Sequence, residues 1–246
     1  MTNIIGTAYD AIAANYESQL APAQWIRERL WKRMDLLFPA GSRILDVTAG
    51  TGLDAFHLAE RDVSVVACDL SPHMLDILLK RNLPIKAVVS NFNLLPIHGQ
   101  FDGIISTFAG LNTSPDLKAF ATQAARLLRP NGTLFIHLLN RWPILDIMRQ
   151  IIRFQWLNAW STISMNPRKV IIGNFLVHHY LYSPFSLHRS VFAPCFKLSH
   201  LEGQGFIRPL NDSWWKQSEG LERRFASRFP FYSLGVFFSL ELIRVN

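Results

Sequence analysis

The run Ile44-Leu45-Asp46-Val47, followed at once by Thr48-Ala49-Gly50-Thr51-Gly52, narrows the folds open to this chain more than any other stretch. A short apolar run of this kind fits a strand buried on both faces, and such strands belong to parallel sheets. Glycines directly after it fit a sharp strand-to-helix turn where a ligand approaches the backbone, at the carboxyl edge where open α/β sheets bind ligands. The next β-branched run, Val63–Ala67, leads to Asp69, where a carboxylate can accept hydrogen bonds from a ribose diol. The two features together predict an adenosine-containing ligand.

The remaining chain carries the same rhythm. Trp25, Leu30, Met34 and Leu37 recur at helical spacing and predict a helix over Pro22–Leu37. A helix over Leu53–Arg61 follows the glycine loop, and Ser71-Pro72 supplies an N-cap and a first-turn proline for the next. Strands are predicted at Ile85–Val89 and Phe101–Ser106, then a helix capped by Ser114-Pro115 and reaching Leu128. The turn Pro130-Asn131-Gly132 opens a strand over Thr133–His137. Beyond Leu138 the alternation breaks. A single helix from Pro143 to about Leu157 is expected, then a hairpin of Lys169–Ile172 and Phe175–Tyr182 around Gly173-Asn174. Ser183-Pro184 starts another helix, and strands near Phe196–Leu201 and Gly235–Ile243 complete the sheet. The fold expected is α/β, a Rossmann-like doubly wound sheet of seven strands, mostly parallel, with an inserted cap. It divides into a helical lid segment (1–40), a core (41–138), a substrate cap (139–185) and a C-terminal completion of the sheet (186–246).

Composition removes several classes. With 246 residues the chain suits one core with one insertion. Cys68 and Cys195 have no paired spacing and no neighbouring histidine cluster, so neither a disulfide framework nor a metal site is expected. The first residues lack a basic start and an apolar stretch, and no later run approaches a membrane span; a cytoplasmic protein is expected. The formal charge of +7 raises nucleic acid or an anionic membrane as partners. Its basic residues are scattered, as Arg27, Arg29, Lys32 and Arg33 illustrate, and read as solvated helix faces.

Taken alone, Gly50-x-Gly52-x-x-Ala55 also satisfies a nicotinamide dinucleotide fingerprint. The surrounding residues carry a different likeness. Asp46 through Gly52 resembles the first motif of the class I S-adenosylmethionine-dependent methyltransferases, in which an acidic residue precedes the glycines by four positions. Asp69-Leu70-Ser71-Pro72-His73-Met74-Leu75 is similar to that family's ribose motif, and Phe101–Ser106 and Leu127–Gly132 resemble its fourth strand and the turn before its fifth. The likeness covers roughly residues 5 to 140 and is to the small-molecule, UbiE-like branch. It departs at Thr48, which stands where the family usually has a glycine, and at Asn91, which replaces an acidic residue near the adenine. The resemblance implies S-adenosyl-L-methionine as cofactor. It implies Asp46, Thr48, Ala49, Gly50 and Gly52 at the methionine part, Asp69 and Leu70 at the ribose, and Met74, Asn91 and Phe92 around the adenine. Tyr9 and Tyr16 of the entry segment and Ser106 and Thr107 after the fourth strand join the cofactor set. Met74 and Phe92 read equally well as core residues.

The loop Ser106-Thr107-Phe108-Ala109-Gly110 lacks the Asn/Asp-Pro-Pro-Tyr signature of base-amine methylation and the Pro-Cys nucleophile of cytosine methylation. No proton acceptor is identified; His137, His178, His179 and His188 are candidates by their near-neutral pKa alone, and each also reads as a packed or surface residue. On a helical wheel Ile144, Leu145, Ile147, Met148, Ile151, Ile152, Phe154 and Trp156 share a face opposite Asp146, Arg149, Gln150 and Arg153, with Gln155 and Leu157 as exceptions. That helix covers the core, lids a pocket or lies on a membrane surface. Phe108, Trp142, Trp156 and Tyr180 are the expected substrate contacts, for a small apolar acceptor of aromatic or lipid-like character, with oxygen favoured over nitrogen or carbon. A noncatalytic adenosine-ligand protein and an RNA methyltransferase are the competing readings, although the aromatics lack an interleaved basic groove. Peripheral membrane contact and oligomeric state stay open. Residues 139–182 and the Tyr9/Tyr16 segment are expected to cover the carboxyl edge.

Overall fold

The computed structural model describes residues 4–164, 167–205, 220 and 222–245. Helices α1 (Ile4–Ile12), α2 (Tyr16–Leu20) and α3 (Gln24–Leu37) lead into β1 (Arg43–Asp46), α4 (Leu53–Ala59), β2 (Ser64–Asp69), α5 (Pro72–Leu79) and β3 (Lys86–Val89). The chain then crosses back to β4 (Phe101–Ser106), α6 (Lys118–Leu127) and β5 (Leu128–Leu139). After α7 (Ile144–Ile152), α8 (Trp156–Ser164), the hairpin β6 (Arg168–Ile172) and β7 (Phe175–His179), and α9 (Pro184–Leu187), the sheet is finished by β8 (Phe196–Gln204) and β9 (Phe237–Arg244). The order is β3-β2-β1-β4-β5-β9-β8, with β9 antiparallel to both neighbours and the first five strands mutually parallel. This is the doubly wound Rossmann-like sheet that the alternation predicts. Strand order reverses between β1 and β4, so the crevice for a ligand opens there.

Alternating strand residues feed two apolar layers. Ile44, Ile105 and Phe135 pack with Ile26, Leu30 and Met34 of α3, while Leu45, Ile104 and Ile136 pack with Phe120, Ala124 and Leu127 of α6.

Three expectations need correction. Ser114 does not cap α6: its Oγ donates to the Asp116 carbonyl, and Asp116 Oδ1 accepts the Lys118 N–H (2.9 Å), so the helix starts later. The single helix expected over 143–157 is two, because Phe154 takes a left-handed conformation (φ 57°) that an α-helix cannot continue. Of the four basic residues of α3 only Lys32 is exposed as expected; the three arginines do not form a solvated face. Arg29 is buried and reaches Glu202 and Glu222, Arg27 is buried against Asp54, and Arg33 pairs with Glu241.

Candidate active site

The loop after β1 is built by backbone geometry first. Gly52 sits at φ 82°, and a Cβ there would lie 2.5 Å from the Leu78 side chain, so the turn into α4 needs glycine on both counts. Thr48, the departure from the family pattern, needs no such freedom: it is not among the described residues with positive φ. Its Oγ1 lies 2.7 Å from Ser106 Oγ, which ties the ends of β1 and β4 together at the crevice. Space for the extra side chain comes from across the loop. A Cβ on Gly110 would lie 2.5 Å from Thr48 Cβ, so the two positions are complementary. Gly110→Ala should lower stability by about 1–3 kcal/mol through overpacking, and Thr48→Gly in the same chain should restore most of it. Chemical denaturation of the single and double variants reads the coupling; additive losses would refute it.

Acidic groups organise the same edge. Asp46 is buried, and its Oδ1 accepts the Thr48 N–H (3.2 Å). Burial, and then the nearby Asp54 charge, holds its pKa well above the ordinary carboxylate range. Asp69 bridges the two loops, with Oδ2 accepting the Gly50 N–H (2.8 Å) and Oδ1 the Ser71 N–H (2.9 Å). Its pKa is also raised by burial, against the pull of those amides.

The N-terminal segment is fastened over this edge by contacts that no sequence motif announces. Asp10 Oδ1 accepts from Ser71 Oγ (2.5 Å) and from the His73 N–H (3.1 Å), which docks α1 on the first turn of α5. Glu17 pairs with Arg81, whose Nε also donates to the Thr51 carbonyl. Tyr9 and Tyr16 stack edge to face, with ring centroids 6.1 Å apart, and a Cβ on Gly50 would lie 3.5 Å from Tyr16. Burial raises both phenols, Tyr16 to about 12.

Beneath the two tyrosines a cavity holds about 560 Å³ of space free of protein atoms, part of it open to solvent. It is lined by Thr48 and Gly50 of the β1 loop, by Leu70, Met74, Ser90 and Phe92, and by Thr107, Phe108 and Gly110 of the loop after β4. Most of the residues expected at a cofactor therefore converge. Ala49 lines a smaller adjoining recess with Arg27 and Asp54.

That recess holds a cluster missed in the sequence. Asp54 accepts from Arg27 (2.7 Å), Trp31 Nε1 (2.7 Å) and Thr107 Oγ1, all within the protein interior. The Arg27 guanidinium also lies 4.1 Å from the centre of the Phe108 ring. Phe108 and the following Ala109 both take left-handed backbone conformations (φ 48° and 65°), a strained pair held in place beside the cavity. His137 lies behind them. Its Nδ1 accepts the Phe108 N–H (3.2 Å), its ring stacks on Phe237, and burial lowers its pKa to about 3, so it supports the loop as a neutral imidazole.

Other expected residues lie elsewhere. Asn91 is exposed and its Oδ1 accepts the Asn93 N–H (2.8 Å), a local turn that spends the carbonyl expected at the adenine; Ser90 faces the cavity instead. Trp142 and Trp156 are exposed and do not line the cavity. Tyr180 donates its N–H to the Asn112 carbonyl (2.6 Å), anchoring β7 beside the site, but its side chain is not in the lining. His178, His179 and His188 are also outside it; His188 Nε2 lies 3.2 Å from the Phe196 carbonyl. The hairpin does meet α1, since a Cβ on Gly173 would lie 3.1 Å from Ala11. Among the described residues there is no cluster of side chains able to hold a metal ion.

Residues 44–132 match the family described as methyltransferase domain. The chain is 31% identical to a demethylmenaquinone methyltransferase of Corynebacterium urealyticum over 54% of its own length, and it spans 58% of that relative's length. In structure it is similar to a methyltransferase from Listeria monocytogenes that depends on S-adenosylmethionine (TM-score 0.64, 14% identity, covering 88% of this chain and 96% of that one). It is equally similar to the [4+2]-cyclase SpnF (TM-score 0.64, 15% identity, covering 98% and 94%), so the fold by itself does not specify the reaction. Residues 44–132 thus match a methyltransferase domain, on a doubly wound sheet of the kind found in S-adenosylmethionine-dependent methyltransferases, and the chain is similar over about half its length to the demethylmenaquinone enzymes of the UbiE-like branch.

Proposed function

We propose that this chain binds S-adenosyl-L-methionine in the Tyr9/Tyr16-covered cavity and transfers its methyl group to a small, largely apolar acceptor of aromatic or lipid-like character. The observation that carries the reading is Asp69. Its half-buried carboxylate lines the same cavity as the apolar side chains of Leu70, Met74 and Phe92 and the loop residues Thr48 and Gly50, and it accepts the Gly50 N–H. That donor and acceptor set fits a nucleoside, with its flat base against the apolar side chains and its diol at the carboxylate. Asp46 and the 48–52 loop would hold the methionine part, with Ala49 and Gly52 acting through the backbone. Ser106 would act by positioning Thr48, and Thr107 and Phe108 would stand at the acceptor end. In this reading 1–40 is a lid, 41–138 the cofactor core, 139–185 a cap and 186–246 the completion of the sheet.

When bound, the cofactor supplies an activated methyl on a sulfonium. The chain's part is to hold the acceptor atom in line and to keep water out. Tyr9 and Tyr16 form the roof that does the second. Both phenols have raised pKa values and stay protonated near neutrality, so neither is a base at rest. With no histidine in the lining, an acceptor whose own hydroxyl ionises readily suits the site, which favours oxygen over nitrogen or carbon. The demethylmenaquinone in the relative's name is an apolar aromatic molecule of the class proposed. Incubation with labelled S-adenosylmethionine and a panel of phenols, hydroquinones and lipid extracts should yield S-adenosylhomocysteine, and fragmentation of the product locates the methyl. Cofactor binding without turnover across the whole panel would favour a noncatalytic adenosine-ligand protein.

The raised carboxylates give binding a pH dependence. Hydrogen bonds from a diol and charge from an ammonium favour ionised Asp69 and Asp46, so binding must drive off any proton they hold. Affinity for S-adenosylhomocysteine should fall as pH drops through the raised values, and calorimetry in buffers of different ionisation enthalpy should detect proton release. Stability of the free protein moves the other way. These groups bind protons more tightly folded than unfolded, so stability falls as pH rises from the ordinary carboxylate value through the raised one. A pH-independent affinity would contradict the assignment of both acids.

A further inference from the structure

The pair α7 and α8 leaves much of its apolar surface uncovered. Asp146 Oδ2 accepts from Gln150 Nε2 (3.1 Å), Asp146 Oδ1 pairs with Arg149 (3.3 Å), and Gln150 Oε1 accepts from Thr162 Oγ1 (3.4 Å), so polar side chains bridge the two helices. Thr162 and Ala159 are buried, as is Ile147. The large apolar side chains point to solvent: Met148 and Ile152 on α7, Phe154 at the left-handed link, and Leu157 and Trp160 on α8, with Phe154 80% and Leu157 85% exposed. Contiguous exposed apolar surface of this kind marks an interaction site.

Charge selects the occupant. Residues 139–182 hold five basic side chains, Arg141, Arg149, Arg153, Arg168 and Lys169, against the single acid Asp146. Arg153 lies at the link itself and is exposed, as is Lys169. A second copy of this chain would bring the same excess of positive charge to the contact, which opposes self-association. Anionic headgroups would neutralise it. Trp142, Trp156 and Trp160 are exposed on the same segment, and indoles favour the boundary between headgroup and acyl chain. Each helix has nine residues, too short to cross a bilayer and suited to lying in its surface. We propose that the α7–α8 face docks on an anionic lipid bilayer, with Phe154, Leu157 and Trp160 entering the interface.

The docking itself stands on this surface alone; its use, drawing an apolar acceptor from lipid toward the cavity, rests on the methyl-transfer reading. The hairpin beyond α8 packs on α1, the helix that carries Tyr9 over the cavity, so the two sites are joined by one layer of structure.

Flotation of the full chain with vesicles tests the proposal without cofactor or turnover. Binding to phosphatidylcholine mixed with phosphatidylglycerol should exceed binding to phosphatidylcholine alone by roughly tenfold or more at low salt, and should weaken as salt rises. Leu157→Asp with Trp160→Asp should abolish it while S-adenosylhomocysteine binding, measured in parallel, is retained. Arg153→Glu with Lys169→Glu should remove the preference for anionic vesicles, and guards against misfolding of the first variant. Failure to bind either vesicle, or equal binding to both, would overturn the proposal. So would a dimer in sedimentation velocity that the Leu157/Trp160 variant dissolves, which would assign the face to a second copy. Failure to bind S-adenosylhomocysteine with vesicle binding intact would count against the functional reading and leave the docking surface standing.

Discussion

Replacing Arg29 by Met is expected to lower the unfolding free energy by about 3–5 kcal/mol, enough to leave a domain of ordinary stability marginal. The guanidinium holds two carboxylates at once, Glu222 at 2.8 Å and Glu202 through Nε at 2.6 Å, and Glu222 has no exposed side-chain surface. Glu222 Oε1 also accepts the Gly205 N–H (3.0 Å), so the pair fixes the end of β8 against α3. Removing the cation takes a charge partner from the fully buried Glu222 carboxylate and one of two cationic partners from the half-buried Glu202. Burial would push Glu202 upward, but His200 and Arg29 outweigh it and hold its pKa below the ordinary value. The stability this provides is present above the unfolded value and is lost as pH falls through the lowered folded one. Urea denaturation of wild type and Arg29→Met at neutral pH and at low pH checks both statements. A large loss at neutral pH that shrinks in acid is expected; a loss under 1 kcal/mol at neutral pH would show that the network is not a structural element.

The second large effect is on binding. Asp69→Ala should weaken S-adenosylhomocysteine affinity by about 1–3 kcal/mol, which is roughly five- to 150-fold in Kd. Two losses act together, because the carboxylate is proposed to accept the ribose diol and already holds the Gly50 and Ser71 amides. Asp69→Asn separates them. An amide oxygen can still accept one of these bonds, so the loop is better preserved and the deficit should fall between wild type and alanine. Asp102→Ala, at the exposed pair with Arg129 on the opposite end of β4, should leave affinity unchanged. Equal affinity for wild type and Asp69→Ala would remove the ribose role.

How much of this could be read in the sequence depends on how local each signal is. The β1 run, the 46–52 loop, Asp69 and the Ser71-Pro72 cap each lie within a few residues of the structure they specify. The structure has them as expected, with Ser71 Oγ accepting the Met74 N–H. Arg27 and Asp54 are a different matter. They are 27 residues apart, and a basic residue on a helix reads as solvated until the neighbouring elements are known. Asp10 and Glu17 were invisible for the same reason. Their partners, the α5 first turn and Arg81, meet them only after the N-terminal segment folds back. Helical periodicity in 144–156 grouped the apolar residues but could not say which of them turn inward: Ile147 is buried, whereas Met148 and Ile152 are exposed. Asn91 shows the limit of a motif: it is exposed, its side chain closes on Asn93, and its neighbours Ser90 and Phe92 line the cavity instead. Thr48 shows the reverse, a departure from pattern whose side chain is accommodated in the fold by a distant residue, Gly110.

Titration calorimetry of the folded, full chain with S-adenosylhomocysteine, and with a nicotinamide dinucleotide in parallel, tests the central claim most directly. The glycine loop and the Asp69 carboxylate are compatible with either ligand, since both carry an adenosine ribose, whereas Asp46 ahead of the loop and the methyltransferase-domain match over residues 44–132 favour the first. The account predicts saturable binding of S-adenosylhomocysteine, one per chain, and no measurable heat from the dinucleotide. Absence of binding by both S-adenosylmethionine and S-adenosylhomocysteine, alongside saturable binding of the dinucleotide, would contradict it.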